Sequence, residues 1–166
     1  ALQIAVRHLQ EGGKRVSSKA ARPVDGPHVV DKFALAYLYW LSDIESPSLA
    51  LKAMEAAVKT EIPEIGRLLA AHVLGIVRRH PKCSKQQLVA VKDLCRAVEA
   101  WNEALLAGQA AIEIDPTDAS LDSEIKDLSA QRAMSAGGYE EAAGREGGFR
   151  EFVKDMDKQR ALEEEE

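Results

Sequence analysis

The chain has few aromatic residues, almost no cysteine and no long hydrophobic run. Phe, Trp and Tyr together make up 5% of its 166 residues, too few for a core built on large rings. No stretch alternates apolar and polar residues with the period of two that marks a half-buried strand, which argues against any sheet-based fold. No run reaches the roughly 18 apolar residues that a membrane span needs, and no secretory leader pattern stands at the start. The chain opens on Ala1 rather than methionine, so it is expected to be a fragment or a processed product. Its two cysteines, Cys83 and Cys95, fit free thiols in a reducing compartment better than a disulfide framework. A cytoplasmic location is the expectation.

Signatures of catalysis are missing as well. There is no Ser or Cys nucleophile motif, no glycine-rich phosphate loop after a strand, and no pair of metal-binding histidines at helical spacing. The chain is therefore not expected to be an enzyme or to carry a cofactor. His80 and Cys83 could offer two metal ligands, with His72 and Cys95 as remote candidates for two more. A closed zinc site usually draws on two close pairs, and the second pair is missing, so no metal is expected. Arg78, Arg79, His80, Lys82 and Lys85 form a basic loop that could attract phosphate or an acidic peptide. Nucleic acid asks for a broader basic face interleaved with stacking aromatics. A net charge of −5 points away from it.

What is present is alanine, charge and helical periodicity. Hydrophobic residues make up 46% and charged residues 30%, inside the globular range. Charge is uneven: residues 1–112 hold 15 Lys/Arg against 11 Asp/Glu, and residues 113–166 hold 7 against 16. A helix over residues 2–10 stops at Gly12-Gly13, followed by a basic linker or a short helix and turn over 14–27. Residues 28–41 are too densely apolar for a one-sided surface helix and belong at the centre. Ser46-Pro47 starts the next helix, Pro63 another running to about residue 80, and Ser84 caps a long stretch ending near 114 with a break placed near 100–102. Asp115-Pro116-Thr117-Asp118 is a turn, and a helix follows over about 119–134. Residues 137–148 are glycine-rich. Beyond them Phe149, Phe152, Val153 and Met156 fall at i, i+3, i+4 and i+7, one face of a helix expected to dock on the rest of the chain or on another chain.

Two of these segments are alike. Ala50 and Ala57 stand seven apart with Pro63 following, and Ala104 and Ala111 stand seven apart with Pro116 following. This resembles the second helix of a tetratricopeptide repeat, where small residues admit the neighbouring helix and a proline begins the next repeat. Phe33, Ala34 and Tyr37 match the large, small and aromatic positions of that family's first helix. Helix starts near Pro27 and Pro63 lie close to the family's period of about 34. The pattern departs from the family at Gly108, where a large residue is usual. The register between 63 and 114 stays open: either 63–80 and 84–114 form an elongated pair, or 85–114 are themselves two helices. The tail after the last repeat is similar to that of certain bacterial repeat proteins without an assigned activity.

The resemblance implies an all-α solenoid, a right-handed superhelix of about seven or eight helices. Three segments are expected: an N-terminal helix and basic linker at 1–26, repeats at 27–136, and a glycine-rich linker with an acidic amphipathic helix at 137–166. It further implies a scaffold that binds a protein or peptide through first-helix residues, here Asp31, Leu35 and Leu38. Co-chaperones of this family hold a peptide carboxylate with Lys and Asn where this chain has Asp31 and Leu35, so that subclass is not expected. The alternative is a structural subunit of a larger homo- or hetero-oligomeric assembly, packing through residues 149–156.

Overall fold

In a computed structural model, which describes residues 16–136, the chain forms helices and turns, with no strand among the described residues. A short helix α1 (Ser18–Ala21) leads through a 3₁₀ turn (Arg22–Val24) to α2 (Val29–Leu41) and α3 (Pro47–Val58). Then follow α4 (Pro63–Arg79), α5 (Lys85–Ala97), α6 (Trp101–Ile114) and α7 (Ala119–Ala136).

Local chemistry sets the starts. Pro47 and Pro63 stand in first turns, where a missing N–H is no loss. Ser84 Oγ accepts from the Gln87 amide at 3.3 Å while Gln87 Oε1 accepts from the Ser84 amide at 3.2 Å, a reciprocal cap that satisfies two orphan donors of α5. Asp118 Oδ1 accepts from the Leu121 amide at 3.0 Å and starts α7. The break in the long stretch falls at 98–100, slightly earlier than expected from the sequence. The turn contains neither glycine nor proline, and Glu99 itself adopts the left-handed conformation, with φ 58°.

Glu61 adopts the same φ of 58°. Each glutamate stands two residues before the next helix, α4 or α6, at a helix end where glycine would be free of steric cost. The chain thus turns in the same way after α3 and after α5. Helices α2, α4 and α6 begin at residues 29, 63 and 101, and α3, α5 and α7 at 47, 85 and 119. Short turns of this length fold successive helices back antiparallel. The open register is resolved in one respect: 85–114 is two helices. In a strict alternation beginning at α2, however, Ala104 and Ala111 fall on a first-type helix, whereas their spacing resembles the second. The helix carrying Ala50 and Ala57 falls in the second slot.

Small residues let these helices approach. Ala50, Ala53 and Ala57 of α3, Ala70 of α4 and Ala104, Ala107 and Ala111 of α6 have no exposed surface. They join Val73, Val77, Leu88, Val91 and Cys95 in one core that reaches Leu121 and Leu128 of α7. The most extensive helix–helix contact is between α5 and α6. A second, smaller core lies on the opposite side of α2, where Val16 and Ala21 cover Leu38. There the Val16 amide donates to Ser42 Oγ at 3.3 Å. The described residues up to Leu128 form one compact unit, and those from Ser129 onward belong to another.

Candidate functional site

Helix α2 presents two stripes. Asp31, Leu35 and Leu38 share one; Phe33, Tyr37 and Trp40 form the other, roughly half a turn away, with Ile44 in the turn beyond. The first stripe is the one expected to face a partner; in the structure its Leu38 turns inward. Leu38 is fully buried, with Leu35 packed beside it under Val16 and Ala21. Asp31 accepts from the His28 amide at 3.1 Å, so its carboxylate holds the helix start. Residues 16–24 cover this side, which sequence periodicity alone cannot reveal.

The other stripe is open. Between α2 and α4 runs a groove of about 750 Å³, lined by Phe33, Tyr37, Trp40 and Leu41 on one wall and Ile65, Leu68, Leu69, His72, Gly75, Ile76 and Arg79 on the other. Its size is that of a ligand site. The aromatic wall is built by contact: Phe33 stacks on Tyr37 at 5.7 Å, and Tyr37 meets Trp40 edge-on at 5.9 Å. Trp40 Nε1 donates to the Ile44 carbonyl at 3.2 Å, fixing the indole and the turn beside it. Leu68 is 76% exposed. Burying a leucine is worth about 1.5–3 kcal/mol, and this one is left in water at the edge of an apolar groove.

Gly75 stands inside α4, where glycine costs about 1 kcal/mol relative to alanine. A Cβ built there meets nothing within 4 Å. Internal packing gives no reason for it. Gly66 on the same helix is the reverse case, since its Cβ would lie 2.4 Å from Val98 Cγ1. Arg67 ties that joint from α4, its Nε donating to the Val98 carbonyl at 2.8 Å and its guanidinium pairing with Glu99 at 2.5 Å.

The basic loop is smaller than its sequence suggests. Lys85 Nζ lies 2.7 Å from both Asp115 Oδ2 and Asp118 Oδ2. The hydrogen bond that Lys85 donates to Asp115, with that to Asp118, raises the Lys85 pKa. In return the Lys85 bond holds Asp115 down to about 2 and lowers Asp118. Lys85 therefore pins the 115–118 turn, and Arg78, Arg79 and Lys82 are left exposed. Neither cysteine is poised to react or ligate. Burial pushes the Cys95 thiol up to about 12, aided by the Glu103 charge, and raises Cys83 despite Arg78 nearby. Both are free, and no three metal-ligating side chains gather among the described residues.

Of the expected packing residues, Ala50, Ala57, Ala104 and Ala111 are fully buried, Phe33, Ala34 and Tyr37 partly, and Pro116 is exposed. Phe149, Phe152, Val153 and Met156 lie outside the described residues. Sequence reading missed Lys92. Its side chain is only 2% exposed, and its ammonium pairs with Asp93 at 3.1 Å and with Glu124 of α7. Gly108 lies beside it. A Cβ there would stand 3.0 Å from Ile125 Cγ1, a tight approach, and 3.6 Å from Lys92 Cδ, an ordinary contact, so the glycine admits Ile125 of α7 and the lysine stem runs alongside.

No helix among the described residues is long and apolar enough to cross a membrane. Compared with protein-family models, with curated proteins and with solved structures, the chain matches none.

Proposed function

We propose that this chain is a protein-interaction scaffold whose helix pairs, resembling degenerate tetratricopeptide repeats, stack as a right-handed solenoid and hold a peptide or protein partner between α2 and α4. The observation that carries the reading is Leu68, 76% exposed on the wall of an apolar groove. Exposed apolar surface grouped in a concavity is the usual mark of an interaction site. The recurrence of helix starts at intervals of 34 to 38 residues is close to the repeat period of that family. Apart from the Tyr37 phenol, the ionisable groups of the groove are Glu45, His72 and Arg79. The chain acts by holding its partner, and the groove walls supply apolar contact.

Leu68→Glu tests this, because the side chain is exposed and its replacement leaves the core intact. Proteins captured from the native source by the wild-type chain should be lost by the variant, with an unchanged unfolding midpoint. An identical captured set from both chains overturns the reading.

A further inference from the structure

The groove also carries information about what fits it. Short turns make α2 and α4 parallel to one another. From Ile65 to Arg79 the wall extends about 21 Å at 1.5 Å per residue, the length of a four-turn helix. On the α4 wall Gly75 leaves a seat open to solvent, where an added Cβ would meet no neighbouring side chain within 4 Å. Charge is graded along α4, with Glu64 in the first turn and Arg78 and Arg79 in the last. Lys82 follows in the next loop, exposed like both arginines, while Glu45 is the one carboxylate lining the groove.

Resting on the scaffold reading above, we infer that the occupant is an amphipathic helix running antiparallel to α2 and α4. A bulky apolar side chain sits over Gly75, and acidic residues in the occupant's first turn lie beside Arg79. Antiparallel packing sets its dipole against those of the two walls, and acidic residues at its own N-terminus stabilise it as a helix. Arg79 then meets opposite charge at the rim of a dry contact, which selects orientation more than it adds affinity.

The test uses the full chain and two synthetic 16-residue helices that share one Leu/Phe stripe. One has Glu in its first turn and Lys in its last; the other has the charges exchanged. Fluorescence anisotropy at low salt should give at least a tenfold lower Kd for the peptide with the acidic start. Gly75→Phe, which fills the seat, should weaken that peptide at least tenfold without lowering the unfolding midpoint. Arg79→Glu should erase or reverse the preference. Equal binding of both peptides, each lost in Gly75→Phe, leaves the scaffold reading standing and overturns the inferred orientation. Binding indifferent to Gly75→Phe overturns the seat. Binding of neither peptide overturns this inference alone if Leu68→Glu still loses captured partners, and both readings if it does not. Concentration-dependent dimers that Gly75→Phe abolishes would assign the groove to a second copy and overturn the inference.

Discussion

The two glycines of α4 stand in opposite surroundings. Gly66 presses against Val98 at the joint between α5 and α6, and Gly75 faces open space on the groove wall. Around Gly66 the chain is closed: Arg67 ties the joint to α4, alanines bring α5 and α6 together, and Lys92 bridges to α7. Around Gly75 the walls stand apart and Leu68 is left in water. One helix thus borders a region whose small residues serve internal packing and a region whose small residue serves nothing internal. The difference teaches that a glycine identifies a candidate site only once its surroundings are known.

The closed region should break most at Lys92. Its stem is as buried as a core methionine, so Lys92→Ala should cost about 2–4 kcal/mol by leaving a cavity. Lys92→Met keeps the stem and removes the need to hold a charge, and should stay within about 1.5 kcal/mol of the wild type. Urea unfolding of the pair checks both. Equal losses would mean that charge pairing, rather than the stem, holds α7 in place.

Next in size is Ala57→Leu. Ala57 is fully buried in α3, so the larger side chain should overpack the core and cost about 1–3 kcal/mol. Ala34→Leu, at a half-buried position of α2, should cost less. The comparison between regions fails if the two variants unfold at the same urea concentration.

A smaller effect is set by pH. Asp115 has a folded pKa of about 2 against about 3.9 when unfolded. Its contribution is therefore present above about pH 4 and lost as pH falls through about 2. Asp118, also lowered, acts in the same direction. Lys85 is raised, so its contribution is complete below about pH 10.4 and lost as pH rises through the folded value. Lys85→Met should flatten stability against pH between about 4 and 2 and again on the alkaline side. Unchanged slopes would remove Lys85 from the 115–118 turn.

Most helices were legible because their signals are local. Pro47, Pro63 and Ser84 mark starts through backbone chemistry within four residues, and the Asp115–Asp118 turn does the same. The break at Glu99 was less visible, since a left-handed glutamate gives no compositional sign. The site was half legible. Phe33 and Tyr37 were read as packing residues and are, in the structure, also a wall of the groove. Asp31, Leu35 and Leu38 were assigned to the open face, yet which stripe of α2 is covered depends on where Val16 and Ala21 come to rest. That contact joins residues 17 to 22 apart in the chain and leaves no periodic trace. Lys92 was hidden because a lysine on a helix normally reaches water, and no local pattern marks this one as buried.

The contrast along α4 is most directly tested by unfolding Gly66→Ala and Gly75→Ala side by side. Both substitutions gain about 1 kcal/mol of helix propensity. At Gly66 that gain is opposed by a Cβ 2.4 Å from Val98, an overlap that branched Val98, held in a tight joint, cannot relieve without moving the backbone. The account predicts opposite signs: a lower midpoint for Gly66→Ala and a higher one for Gly75→Ala. If both variants are stabilised, or both destabilised, α4 does not divide a closed region from an open one.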